Sequence, residues 1–176
     1  DAESKRQFCQ WLSCDEDIAG RTLAFLISLH DLGKASPSFQ IKVKGMQDEV
    51  KKAGFWLPAN VVKASPHGVV TTWALRTLLQ ELLNQNKSSA KLLAQAVGGH
   101  HGAWPVPAQW QTPQMTSDDT GEKYPIWDTA RKELVEAMMT IFKPSSAFAF
   151  PDKSEPQELN TFLTLFSGFT SVADWI

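Results

Sequence analysis

The chain has 176 residues, of which 43% are hydrophobic and 20% charged, as is typical of one globular domain with a substantial core. Its net charge of −2 excludes binding to nucleic acid through a broad basic surface, so any such contact must rely on local patches or on metal ions. No apolar run approaches the ~18 residues of a membrane-spanning helix and no signal peptide opens the chain, so we expect a cytoplasmic protein without a membrane partner.

The chain begins with two predicted helices. Residues 4–12 form a short helical stretch, and the polar residues 14–17 form a turn with capping groups. From 23 to 29 nearly every residue is apolar, which predicts a helix buried on all sides that continues to about Leu32. Gly33 then provides a natural helix stop in the left-handed conformation.

A histidine and an aspartate stand side by side at the end of this helix, at His30 and Asp31. Burying an imidazole beside a carboxylate is costly unless something pairs with both groups, as a divalent metal ion does. The simpler alternative is that the two side chains hydrogen-bond each other. Lys34 follows, and its ammonium either stabilises negative charge developing on a phosphate or binds the last carbonyls of the helix.

The next segment carries several lysines. Ser36 and Pro37 predict a helix start, with the serine as N-cap and the proline in the first turn, and residues 39–52 have an amphipathic pattern. The lysines form either a solvated face or an edge that contacts phosphates. They are Lys42, Lys44, Lys51 and Lys52.

Ser65 and Pro66 repeat that start and open a strong helix that runs to about Leu82. His67 is predicted to lie in the first turn of this helix. The positive end of the helix dipole disfavours an imidazolium there, which leaves a neutral ring with a lone pair for a metal ion. Taken alone, such a residue is more often a surface histidine.

A further helix over 90–97 ends at two glycines, and His100 and His101 follow before Gly102. Glycines on both sides allow the backbone to bend so that both rings reach one point, although a histidine pair in a loop is often incidental. Residues 103–125 form a long, proline-rich connection of the kind that is often functional or mobile.

The last third of the chain returns to helix. Residues 127–142 form one helix, 143–156 an irregular connection and 159–176 a strongly apolar helix. Asp174 interrupts the apolar helix, where a carboxylate is costly unless it is ionised against a cation. No segment alternates with the period of two that marks a strand, so the sequence predicts an all-α protein.

All four histidines lie at the ends of predicted elements, beside glycine, proline or aspartate. With two aspartates they offer nitrogen and oxygen ligands for one or two divalent ions, which polarise a phosphoryl oxygen and activate a bound water. Mixed imidazole and carboxylate ligation suits manganese, iron, cobalt, nickel or zinc better than calcium. The candidate ligands are His30, Asp31, His67, His100, His101 and Asp174.

Short motifs containing these residues occur in a fixed order, in a stretch from about residue 18 to 176. They are His30-Asp31-Leu32-Gly33-Lys34 with Phe39-Gln40, then His67-Gly68, then Gly99-His100-His101-Gly102, and then Ala173-Asp174-Trp175. Their order resembles that of the HD-superfamily metal-dependent phosphohydrolases. The surrounding residues resemble the HD nuclease domain of the CRISPR-associated nuclease-helicase of type I systems.

The resemblance implies an HD-domain helical bundle with the metal site at its centre. It also implies that Asp31 bridges two ions, that His30 and Asp174 hold one of them, and that the other three histidines hold the second. Lys34 would assist at the phosphate, and the ions would be manganese, magnesium, cobalt, nickel or iron. The family has a further metal-binding histidine on an upstream helix, whereas no histidine precedes His30 here. Either that helix lies outside this sequence or the first metal site is incomplete.

In function, the resemblance implies a nuclease that cuts single-stranded DNA in CRISPR interference, after a guide-RNA surveillance complex has opened the duplex. In that family a superfamily 2 helicase follows the Asp-Trp motif, so we expect residues 1–176 to be a single HD-type nuclease domain excised from a longer nuclease-helicase. A near-neutral charge suits a domain to which a helicase delivers the strand. Trp104, beside the histidine pair, would stack on an unpaired base or, equally, pack in the core.

Two alternatives to the nuclease stay open. An HD phosphohydrolase acting on nucleotides or cyclic nucleotides would need a closed pocket for one base. A catalytically inactive HD-like interaction module would dock a partner protein. The ligand set speaks against such a module, and the absent upstream histidine speaks for it.

Overall fold

The computed structural model describes residues 2–59, 64–110, 116–145 and 156–176. Within these ranges the chain is all-α, as predicted, with ten α-helices, one 3₁₀ turn (Leu32–Lys34) and no strand. The helices are α1 (Ala2–Leu12), α2 (Glu16–Ser28), α3 (Pro37–Gln40), α4 (Gln47–Lys52), α5 (His67–Leu83), α6 (Lys87–Gly98), α7 (Pro107–Trp110), α8 (Ser117–Thr120), α9 (Pro125–Phe142) and α10 (Pro156–Trp175).

A hairpin of α5 and α6 forms the centre of the fold. The start of α5 lies against the end of α6, where Gly68 meets Gly98, so the two helices run antiparallel. Their facing sides are apolar, and Leu75, Leu79 and Leu93 are completely buried. The first turn of α5 therefore lies next to the turn that follows α6.

Helices α1, α2, α9 and α10 complete the core around this hairpin. Phe25 and Leu26 of α2 and Phe162 and Phe166 of α10 are completely buried. Phe8 of α1 packs edge-on against Phe162, with ring centroids 5.5 Å apart. Each such side chain contributes about 1.5–3 kcal/mol to stability, so the core fixes the helix ends that carry the candidate ligands.

The buried second helix ends earlier than predicted. α2 ends at Ser28, and the chain turns through His30 and Asp31 into the 3₁₀ turn. The prediction of a left-handed Gly33 was wrong, because its φ is not positive. Gly33 instead allows close packing, since a Cβ there would lie 2.0 Å from the His67 carbonyl oxygen. The sequence could not predict this role, because it does not show which backbone segment packs against Gly33.

Residues 39–52 do not form one amphipathic stretch. The chain forms α3, turns through Gly45 with a φ of 85°, and then forms α4. No residue of α4 is buried, so no apolar face supports a longer helix. Ser36 precedes α3 as predicted, but its hydroxyl donates to the Gly33 carbonyl at 2.7 Å instead of capping the helix.

The long connection over 103–125 contains two one-turn helices, α7 and α8. Thr116 and Asp119 form a capping box at the start of α8. Residues 111–115 of this connection and 146–155 of the next lie outside the described residues. In the part of the chain that the structure describes, no helix is long and apolar enough to cross a membrane.

Candidate metal centre

The candidate ligands of α5 and α6 meet because two helix ends are pressed together. α5 begins at His67, one residue later than the sequence predicted, with Pro66 as its N-cap, and α6 ends just before His100. A Cβ on Gly68 would lie 2.2 Å from the Gly98 carbonyl oxygen, so only glycine allows this approach. The contact brings the first turn of α5 to the histidine pair.

His67, His100 and His101 form one cluster of ring nitrogens. Nε2 of His67 lies 3.0 Å from Nε2 of His100 and 3.1 Å from Nε2 of His101. The buried His100 ring donates from Nδ1 to the Val97 carbonyl at 3.1 Å, so Nε2 of the neutral ring carries a lone pair. The three nitrogens lie close enough to bind a single metal ion.

His30, Asp31 and Asp174 form a second cluster. His30 donates from Nδ1 to the Ile27 carbonyl at 2.9 Å, and its Nε2 lies 3.1 Å from Oδ1 of Asp174. A neutral ring held in this way directs a lone pair at a carboxylate, which is repulsive unless a cation lies between them or the ring is protonated. Asp174 lies near the end of α10, so the last helix completes this cluster.

Asp31 belongs to the second cluster and also lies next to the first. Its Oδ1 lies 3.2 Å from Nε2 of His67, and its Oδ2 lies 3.4 Å from Nε2 of His30. Lys34 donates to Oδ2 at 2.5 Å, whereas the buried Oδ1 has no hydrogen-bond donor. A buried carboxylate oxygen without a donor is costly, and a cation shared with the histidines would satisfy it. The donor set and this oxygen therefore fit a bound divalent metal ion.

Burial and neighbouring charges keep His67, His100 and Asp31 in the protonation states that bind metal. Burial lowers the pKa of His67 to about 4, against the opposing effect of the Asp31 carboxylate, and burial also lowers the pKa of His100. Burial acts to raise the pKa of Asp31, but the hydrogen bond from Lys34 and the neighbouring positive charge outweigh it and lower that pKa. Neutral imidazoles and an ionised carboxylate are the forms that bind metal. The sequence predicted a neutral His67 ring because of the helix dipole, whereas the main cause in the structure is burial.

Two hydroxyl groups that the sequence did not mark hold the ligands in place. Oγ1 of Thr71 accepts from the Gly33 N–H at 2.8 Å and donates to the His30 carbonyl at 2.9 Å. Oγ of Ser171 donates to the His100 carbonyl at 2.6 Å. Both residues lie in apolar helices, where a threonine or serine looks like an ordinary packing residue, so no sequence signal distinguishes them.

The structure brings all six candidate ligands together and places Lys34 on Asp31 rather than on helix carbonyls. Trp104 is half-buried against the core, and its indole N–H donates to Oγ of Ser167 at 3.0 Å. Base stacking by Trp104 stays a prediction. The catalytic role of Lys34 and the metal-binding roles of the six ligands stay predictions as well.

Comparisons with known proteins identify the family to which this fold belongs. The family model for the HD domain of Cas3 matches residues 1–176. The CRISPR-associated endonuclease/helicase Cas3 of Thermus thermophilus is 32% identical over 154 residues, which cover 87% of this chain and 16% of the relative. The crystal structure of a CRISPR-associated protein matches with a TM-score of 0.77 and 28% identity, over 97% of this chain and 18% of that one. The Thermus thermophilus Cas3 HD domain, crystallised in the presence of Ni²⁺, matches with a TM-score of 0.61 and 24% identity, over 98% of this chain and 61% of that one.

This chain thus spans only 16% of the length of its curated relative. The all-α HD-type fold and the family resemblance predicted from the motifs are both confirmed. Because the family model matches the whole of residues 1–176, the chain belongs to the Cas3 HD domain family.

Proposed function

We propose that this chain is a metal-dependent nuclease that hydrolyses phosphodiester bonds of single-stranded DNA in CRISPR interference. The observation that carries the proposal is the carboxylate of Asp31, which lies between two ligand clusters and has an Oδ1 without a hydrogen-bond donor. Membership of the Cas3 HD domain family supports the assignment as a CRISPR-associated HD nuclease. The Thermus thermophilus relative is itself named an endonuclease/helicase.

The three clustered histidines would hold one divalent ion together with Oδ1 of Asp31, and His30 and Asp174 would hold a second beside Oδ2. Bound divalent ions polarise a phosphoryl oxygen, lower the pKa of a water and align the attacking and leaving oxygens. Manganese, cobalt, nickel and iron suit imidazole and carboxylate ligands, and magnesium is a further candidate for the cluster with two carboxylates. Ni²⁺ was present in the crystals of the related HD domain.

Lys34 would contact the scissile phosphate in this proposal. Its Nζ lies 2.5 Å from Oδ2 of Asp31, and its side chain is 39% exposed. Metal binding by Asp31 would release Lys34 from this ion pair, and its ammonium would then be available to a phosphate oxygen. The positive charge would lie where negative charge develops during hydrolysis.

The clusters lie open to solvent, which suits a polymeric substrate. His101 is exposed, and the side chains of Asp31 and Asp174 are 31% and 23% exposed. A phosphohydrolase acting on nucleotides would need a closed pocket around one base, so the open site speaks against that alternative. The convergence of six candidate ligands speaks against an inactive interaction module.

In this proposal, residues 1–176 act in the cytoplasm as a nuclease domain joined to, or assembled with, a superfamily 2 helicase. A net charge of −2 offers no basic surface to grip a duplex, so a strand must be delivered after a guide-RNA surveillance complex has opened the DNA. The greater length of the relative and its naming as an endonuclease/helicase support this arrangement.

Replacing Asp31 by asparagine tests the proposal. Asp31→Asn keeps the shape of the side chain but removes the charge that both clusters share. Cleavage of single-stranded DNA with Mn²⁺ should fall by roughly 1,000-fold or more, which corresponds to about 4 kcal/mol of barrier. Asp48→Asn changes an exposed carboxylate of α4 and should leave cleavage unchanged. Circular dichroism checks that both variants remain helical.

The same assay compares single strands with blunt duplexes, nucleotides and cyclic nucleotides. We expect single strands to be cut fastest. Retained cleavage by folded Asp31→Asn protein, equal cutting of blunt duplex, or hydrolysis of nucleotides alone would each contradict the proposal.

A further inference from the structure

Phe39 is a half-buried aromatic ring at the edge of the metal centre. Its ring packs edge-on against His67, with centroids 5.7 Å apart and an interplanar angle of 80°. Ser36, Pro37 and Ser38, which precede it, are buried, whereas Phe39 stays partly exposed. The ring of Phe39 is therefore accessible to solvent beside a candidate metal ligand.

Two lysines lie over the same ring. Nζ of Lys34 is 5.7 Å and Nζ of Lys42 is 5.6 Å from the ring centroid of Phe39. Both distances are close to the ~6 Å limit of a cation–π contact, so the ring holds the lysines only weakly. Lys42 is exposed, and among the described residues no carboxylate pairs with it. Its charge is therefore available to a phosphate.

We infer that Phe39 is a stacking platform for one unpaired nucleobase of the substrate strand and that Lys42 contacts an adjacent phosphate. The inference rests on the proposed function and locates the strand at the metal centre. Stacking on an aromatic ring accepts any sequence, because every base has a π face. Phe39 suits this role better than Trp104, whose ring packs on the core and whose indole N–H is bonded to Ser167.

The substitution Phe39→Leu distinguishes a role in base stacking from a role in packing, because leucine is an apolar side chain of similar size without a π face. The probes are a short fluorescent oligothymidylate and an abasic strand of the same length, both in EDTA so that neither is cut. Wild-type protein should bind the oligothymidylate more tightly. Phe39→Leu should weaken oligothymidylate binding by roughly tenfold and leave abasic binding unchanged, and Phe39→Trp should restore the preference.

Matched controls separate local effects from general ones. Phe169→Leu makes the same change at a phenylalanine of α10 that is 46% exposed and contacts Phe8, and it should not alter binding. Lys42→Gln should weaken the binding of both strands alike. It should also reduce the salt dependence of the binding affinity by an amount that corresponds to about one phosphate contact. Lys44→Gln, at an exposed lysine two residues away, should not do so.

Equal affinity of the wild-type protein for the two strands, or a Phe39→Leu change that affects both strands alike or neither, overturns the inference. The wild-type comparison can overturn the inference even where a variant does not fold.

Cleavage with Mn²⁺ separates this inference from the proposed function. A wild type that cuts single strands but binds both probes equally overturns the stacking site alone. A wild type that prefers the base-bearing strand, with the preference lost in Phe39→Leu, but that cuts no DNA supports the stacking site and contradicts the nuclease.

Discussion

At the scale of single residues, the position of Asp31 depends on a hydroxyl outside both ligand clusters. Thr71 is completely buried in α5 and joins the Gly33 N–H to the His30 carbonyl. The turn that carries Asp31 is thereby fixed to the helix that begins at His67. Thr71 therefore helps to set the distance between the Asp31 carboxylate and the histidine cluster.

Thr71→Val keeps the side-chain shape but leaves a buried N–H and a buried carbonyl without partners. We expect the free energy of unfolding to fall by about 2 kcal/mol and Mn²⁺ affinity to fall with it, because Asp31 loses its support. Urea denaturation and Mn²⁺ titration measure the two effects. Thr71→Ser, which keeps the hydroxyl, should retain Mn²⁺ affinity, and Thr161→Val, at an exposed threonine of α10, should change neither. Unchanged Mn²⁺ affinity in folded Thr71→Val would refute this role.

The candidate metal ligands could be predicted from the sequence, whereas the residues that support them could not. Histidines at the ends of predicted helices, an aspartate beside one of them and an aspartate within an apolar helix are visible in a sequence, and all six candidates lie in the two clusters. Thr71 and Phe39 depend on distant partners, Gly33 and His67. Only the fold determines which backbone group or ring lies against such a side chain.

At the scale of elements, the contact between α5 and α6 decides whether the histidines meet. A Cβ on Gly98 would lie 2.2 Å from Oγ1 of Thr72 and 2.4 Å from the Gly68 carbonyl oxygen. Oγ1 of Thr72 also lies 3.1 Å from the Ala94 carbonyl oxygen of the facing helix. Two glycines and a threonine thus set the separation of the two helices.

Gly68→Ala should force α5 and α6 apart, because the new methyl group overlaps a backbone oxygen that cannot rotate away. We expect the free energy of unfolding to fall by about 2 kcal/mol or more and Mn²⁺ binding to weaken. Gly168→Ala adds the same group to α10 at a place with no atom within 4 Å, and it should stabilise the protein by about 0.5–1 kcal/mol. Urea denaturation compares the two variants, and equal effects would show that the helix contact is not tight.

Long helices were predictable from apolar periodicity, but short elements were not. The sequence located α5, α6, α9 and α10 within a few residues, because each has an apolar face that the core buries. It missed the break between α3 and α4, since Gly45 ends the segment and α4 has no buried face. It also misassigned Gly33, whose role comes from packing against α5.

At the scale of the whole molecule, the ligands come from four separate parts of the chain: the turn after α2, the start of α5, the turn after α6 and the end of α10. The two clusters differ in their candidate ligands. One has three histidines beside Asp31, whereas the other has His30 and two carboxylates.

This asymmetry predicts the order in which the two sites fill. The site of His67, His100 and His101 should bind Mn²⁺ more tightly than the site near Asp174, and activity should be low without excess metal. Calorimetric titration of wild type should show one tight and one weak site, and His101→Ala should lose the tight one. Two equally tight sites, or a tight site that survives His101→Ala, would reverse the assignment.

The central claim is that Asp31 is shared by two metal sites. The most direct test is anomalous scattering at the manganese edge from crystals of this protein grown with excess Mn²⁺. We expect two peaks that flank the Asp31 carboxylate, one in contact with the histidine cluster and the other in contact with His30 and Asp174. A map without manganese at these clusters, or with manganese bound to the histidines but not to Asp31, would contradict the claim.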